Sequence, residues 1–148
     1  MTAYDKDFAR WSAEQAAALR AHNWAAVDIN NISEEIEALG RNDARALRSR
    51  MRVLLAHLLK WEYQPNQRKT GWKLTAIEQR TRIEDLLDES PSLRARLPEF
   101  IANGYSAARE YAAIETGFDI NMFPLDCPWL EGQILAHDFY PGRPERHV

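Results

Sequence analysis

An all-α fold is predicted by three features of this sequence: its residue usage, the spacing of its apolar residues, and the placing of its helix breakers. Ala and Leu supply 36 residues and Val only three, a balance that favours helix over strand. Apolar residues recur at steps of three and four along several stretches, and Gly40, Pro65, Pro91, Gly117 and Pro128 punctuate them. These features predict an irregular bundle of five to six helices around a central buried helix at about 42–63. With no repeat and no low-complexity linker, residues 1–148 read as a single domain.

A first helix is expected over about 5–20, with Phe8, Trp11, Gln15 and Leu19 along one side. Asp28 is placed to cap a second helix, in which Ile29, Ile32, Ile36 and Leu39 form the apolar stripe and Gly40 is the stop. The third and longest helix carries Leu47, Met51, Leu54, Leu58 and Trp61. It is apolar nearly all round from Val53 to Leu59, the mark of a buried helix. A loop broken by Pro65 leads to a fourth helix from about Gly71, packing with Trp72, Ala76, Ile83, Leu86 and Leu87. Ser90 and Pro91 signal a short fifth helix that Pro98 interrupts. The run from Glu99 to Thr116 then ends at Gly117. Phe118 to Pro128 reads as irregular, with a last helical turn or two through Leu130 and Ile134. Residues 1–4 and 141–148 are expected to fray.

The distribution of charge is uneven. Residues 1–40 hold three Lys/Arg against seven Asp/Glu, residues 41–82 eleven against three, and residues 83–148 five against twelve. A basic centre therefore lies between two acidic flanks, a pattern that suits electrostatic association. The lone Cys127 excludes an internal disulfide framework and a cysteine-based metal cluster. No apolar run approaches the ~20 residues that cross a bilayer, and no signal-peptide core opens the chain, so a cytoplasmic protein without a membrane span is expected.

The stretch His57-Leu58-Leu59-Lys60-Trp61, with Tyr63, Gln64 and Pro65, is followed by Trp72, Leu74, Thr75, Ile77, Glu78, Gln79, Arg80, Arg82 and Ile83. Glu34-Glu35-Ile36-Glu37-Ala38-Leu39-Gly40 stands upstream; Glu115-Thr116-Gly117, Phe123-Pro124 and Cys127-Pro128 stand downstream. In this order they resemble the bacterial family catalogued as domain of unknown function twenty-nine, over about Tyr4 to Tyr140. The resemblance implies an all-helical fold and carries no catalytic residues with it.

Motifs for chemistry are sparse. There are four histidines, His22, His57, His137 and His147, and none follows a Glu-x-x-His pattern of di-metal bundles. Glu34, Glu35 and Glu37 fan around a helix rather than converging, so neither a metal nor another cofactor is expected. No glycine-rich phosphate loop or nucleophile elbow occurs. Two charges break the apolar pattern: Arg80 beside the stripe of the fourth helix, and Glu115 on the face of Phe100, Gly104, Ala108 and Tyr111. A charge on a core face needs a partner. The expectation is a buried polar network of Arg80 and Glu115, completed by His57 or Glu35, which sets helix register or lines a small pocket.

A second constellation is basic. Arg41, Arg45, Arg48 and Arg52 form one stripe, and Arg68 and Lys69 sit in the loop between Tyr63 and Trp72, so Arg45, Arg48, Arg52, Arg68 and Lys69 are the candidate basic surface. A turn at Gly40 would fold the second and third helices into an antiparallel hairpin, setting Glu37 beside Arg45 and Glu34 or Glu35 beside Arg48. That neutralisation disfavours nucleic acid. The leading expectation is a non-enzymatic interaction module that binds another protein or a second copy of itself. Nucleic-acid binding through 41–82 and an enzyme with a polar site around His57 are the alternatives.

Overall fold

A computed structural model describes residues 2–142, and in it every regular element is helical. The order is α1 (Ala3–Lys6), α2 (Phe8–Arg20), α3 (Ile29–Tyr63), α4 (Thr70–Glu89), α5 (Leu97–Thr116) and α6 (Glu131–Leu135), with 3₁₀ turns in four of the connections. None of these helices is long and apolar enough to cross a membrane. The chain divides into two compact units, one ending at Asn42 and one beginning at Asp43.

In the N-terminal unit the expected first helix is split at Asp7, which closes α1 and caps α2 by accepting from the Arg10 amide at 3.1 Å. Thr2 and Asp5 form a capping box that starts α1. Asp28 caps α3 as expected, accepting from the Asn31 amide. The same carboxylate accepts from the Trp11 indole at 3.1 Å and the Asn31 side chain at 2.8 Å, while Gln15 receives the Asp28 amide and donates to Ala26 O. Tyr4 donates to Glu35. The unit is thus fastened by a polar staple, and its buried apolar residues are Trp11 and Ala18.

This staple turns the helix opposite to expectation. Asn31 and Glu35 lie on the partly covered side of α3, whereas Ile29, Ile36 and Leu39 are 67%, 63% and 67% exposed. Nor is there a hairpin at Gly40, since α3 continues through it for 35 residues. A helical glycine costs only about 1 kcal/mol relative to alanine, and the Arg41–Glu37 ion pair at 3.7 Å bridges the turn in which Gly40 lies.

The C-terminal unit has the expected central helix. Leu47, Met51, Leu54, Leu55, Leu58 and Leu59 of α3 are buried against Ala76, Ile83 and Leu87 of α4 and Leu97, Phe100, Tyr105, Ala108 and Ala112 of α5. Pro98 does not interrupt a helix; it stands in the first turn of α5, where its missing amide costs nothing. Gly117, at φ +76°, ends α5 in the left-handed conformation. Gly104 lets α3 and α5 approach closely, since a Cβ there would lie 3.3 Å from Met51 Cγ and 3.5 Å from the Arg52 amide. Phe118 to Pro128 is irregular as expected, apart from one 3₁₀ turn. At the other end Pro141 is buried; residues 143–148, including His147, lie outside the described residues.

Two outcomes follow from this packing. Gly104→Val is expected to destabilise the chain by about 2 kcal/mol through overpacking against Met51, measured by urea denaturation. The hydrogen bonds from Asn31 and Trp11 hold the Asp28 carboxyl below its ordinary value, against the opposing pull of desolvation. A lowered folded pKa contributes stability that is full above the unfolded value of about 3.9 and lost as pH falls through the folded value. The Trp11 indole N–H resonance is therefore expected to titrate with a midpoint below the ordinary aspartate range, and Asp28→Asn to abolish the titration.

Candidate functional site

His57 and Glu115 are brought together. With Arg52, Val53, Ala56 and Tyr111 they line a cavity of about 220 Å³ between α3 and α5. His57 Nδ1 lies 3.1 Å from Val53 O, one turn back on α3. A carbonyl can only accept, so Nδ1 carries the proton and Nε2 is left as an acceptor. Burial pushes the imidazole below its usual pKa and the Lys60 charge adds to this; the Val53 carbonyl and Glu115 oppose it. The ring is a neutral base at pH 7.

Glu115 does not occupy the core face, which runs instead through Ala108 and Ala112. Its carboxylate stands at the rim and pairs with Lys60 Nζ at 2.8 Å. Lys60 is the more buried partner, at 14% side-chain exposure, and its ammonium also lies 5.0 Å from the centre of the Trp72 ring. Sequence reasoning did not single out Lys60, although it follows His57 by three residues and so shares its face of α3.

Arg80 is wholly buried, and its partners are neither Glu115 nor His57. Its Nε donates to Ile134 O at 2.8 Å, Nη2 to Phe139 O at 2.8 Å and Nη1 to His137 O at 3.4 Å. The Tyr140 ring lies 5.4 Å from the guanidinium carbon. Burial lowers the Arg80 pKa, opposed by Tyr140 and Asp138, yet a guanidinium stays charged at any physiological pH. Ile134 sits in the last turn of α6, where carbonyls lack helical partners and favour a cation. No buried polar side-chain atom among the described residues is left without a partner. The expected four-residue network is therefore not formed: His57 and Glu115 share a cavity, Arg80 clamps the C-terminal segment, and Glu35 belongs to the N-terminal unit.

The basic candidates separate likewise. Arg45, Arg48 and Arg52 line one furrow of about 350 Å³ with Ser49, Asn103, Gly104 and Ala107. Among the described residues none of the three forms an ion pair. The carboxylates expected to neutralise them came with a hairpin that does not exist. Arg68 is turned inward, donating to Trp61 O at 2.9 Å with its guanidinium 4.7 Å from the Trp61 ring centre. Lys69 is exposed at the start of α4. No group of three His, Cys, Asp or Glu side chains among the described residues could hold a metal ion.

An all-helical bundle with a long central helix, its C-terminal segment pinned by a buried arginine, defines the class of protein. The chain belongs to the family described as domain of unknown function DUF29, which matches residues 3–140. No curated protein and no solved structure matches it.

The clamp can be tested directly. Arg80→Met leaves three carbonyls without their donor and is expected to cost about 3 kcal/mol, a fall in Tm of roughly 10 °C at this chain length. Hydrogen exchange should accelerate over 134–139. Arg80→Lys should restore little, because an ammonium lacks the planar fork that spans three acceptors.

Proposed function

We propose that this protein is a non-enzymatic helical interaction module that pairs with a second copy of itself through the outward face of the N-terminal part of α3. One observation carries the reading: Ile29, Ile36 and Leu39 are exposed while Asp28, Asn31 and Glu35 are turned inward. With the partly buried Ile32, these residues repeat at steps of three, four and three, the spacing of a helix that packs along another helix. The stripe is flanked by Glu34 on one side of its midpoint and Arg41 on the other. An antiparallel, two-fold pairing centred between Ile36 and Leu39 sets Glu34 of each copy beside Arg41 of the other, the self-complementarity that isologous contacts require. The Glu37–Arg41 pair is highly exposed and therefore weak, so Arg41 is available for exchange. Apolar residues at this spacing on an outer surface mark contact sites.

In this reading the chain works by binding, and its setting is the bacterial cytoplasm, where a lone half-buried thiol such as Cys127 stays reduced. The cavity at His57 supports an enzyme less well, because its one carboxylate is already engaged by Lys60.

Sedimentation equilibrium over a concentration series tests the proposal. A monomer–dimer equilibrium is expected, and Ile36→Glu with Leu39→Glu should shift it to monomer while leaving the Tm of the dilute monomer unchanged, since both positions are exposed in it. Arg41→Glu should weaken the dimer and Glu34→Arg restore it in the double variant. A wild-type chain that stays monomeric throughout overturns self-pairing, as does a dimer indifferent to these substitutions.

A further inference from the structure

The furrow between α3 and α5 lies in the C-terminal unit and is independent of the α3 stripe. We propose that it is a binding site for a small multivalent oxyanion of the phosphate kind, held by Arg45, Arg48 and Arg52.

The argument begins with charge. On a helix the three arginines fall within about 60° of arc and span roughly 10 Å of its length. Like charges one turn apart on a helix repel, by a few tenths of a kcal/mol per pair. Elsewhere the exposed charges include i, i+3 or i, i+4 pairs such as Arg10–Glu14, Arg41–Glu37 and Arg96–Glu99. Here three guanidiniums border one space and none is in an ion pair among the described residues.

Shape supplies the second observation. The opposite wall is α5, and at this point it presents Gly104 and Ala107. Gly104 is packed closely on Met51, a Cβ there lying 3.3 Å from Met51 Cγ, and as a glycine it sends no side chain into the furrow. Asn103 and Ser49 add neutral hydrogen-bonding groups at the edge. The remaining space, about 350 Å³, suits a group the size of a pyrophosphate or a phosphorylated small molecule. Guanidiniums bind such groups in forked, two-bond geometry, the strongest hydrogen bonds a protein offers an anion.

A long polyanion fits less well. Residues 83–148, which supply the opposite wall of the furrow, carry a net charge of −7, which repels an extended strand while leaving a local cationic furrow intact. Arg68, the residue that would have lengthened a strand-tracking surface, is engaged with Trp61. Arg52 also borders the His57 cavity, so the uncharged part of a bound molecule has a continuation along α3 toward His57.

The test uses the full chain and inorganic pyrophosphate, followed by calorimetry and by amide shifts. Saturable one-to-one binding is expected, with the shifts concentrated at Ser49, Arg52, Asn103 and Gly104. Arg48→Glu with Arg52→Glu should weaken it by at least about tenfold while leaving the anion-free Tm unchanged or higher, since both residues are exposed. Ala107→Glu, which blocks the furrow and spares the arginines, should do the same. Absence of saturable binding at millimolar pyrophosphate, or binding indifferent to these variants, overturns the proposal. So does affinity for single-stranded oligonucleotides that rises with their length and displaces pyrophosphate, because that outcome makes the arginines part of a nucleic-acid surface instead.

Discussion

The C-terminal unit depends on one arginine. Residues 118–142 contain little regular structure, yet Phe123, Ile134 and Pro141 are buried, so the peptide groups around them must find partners away from water. Helix side chains provide these. Arg80 of α4 takes Ile134, His137 and Phe139; Arg109 and Tyr105 of α5 take Phe123 and Pro124. Burial pushes the Tyr105 phenol up to about 12, so it keeps its proton and remains a donor over the whole neutral range. Aromatic rings seal the seam, with Trp61 against Tyr140 at 4.7 Å and Trp129 against both Tyr105 and Phe139. The helices are held together by apolar burial, and the irregular segment is held to them by donors.

The N-terminal unit solves the opposite problem by the same means. With few buried apolar residues, it relies on Asp28 as a hub for Trp11 and Asn31, while Gln15 ties the Asp28 backbone. A polar interior is admissible wherever each group is satisfied. Its consequence is that the apolar residues of α3 are released to the outside. In the C-terminal unit the small residues Gly104 and Ala107 have a comparable effect: close helix packing beneath leaves a furrow above, and three arginines line one wall of it.

How much of this was legible in the sequence differs from element to element. The central helix was plain from the density of leucine between Leu47 and Leu59, and Gly117 from its position after an unbroken run. Gly40 misled because a glycine permits a stop without imposing one, and Arg41–Glu37 spans it. The stripe Ile29–Leu39 lies outward, which its spacing leaves open: periodicity shows that a helix has two sides but not which side is covered. Arg80 and Glu115 were visible as charges out of pattern. Their partners were not, because backbone carbonyls are present at every residue and leave no mark in the sequence. Lys60 could have been found, since it stands one turn from His57, but nothing in its spacing points to Glu115 more than fifty residues later.

The clamp also orders events during synthesis. Arg80 and its acceptors are separated by 54 to 59 residues, so α3, α4 and α5 emerge from a ribosome before the carbonyls that Arg80 needs. At the rate of about 5–20 residues per second at which chains emerge, the nascent bundle spends seconds with a charged side chain facing its core and no acceptor for it. Water must fill that gap, and the helices cannot close fully until Ile134 to Phe139 arrive. Completion of the bundle is therefore tied to residues 134–139, and a product cut short before residue 134 would stay open and be recognisable to proteases.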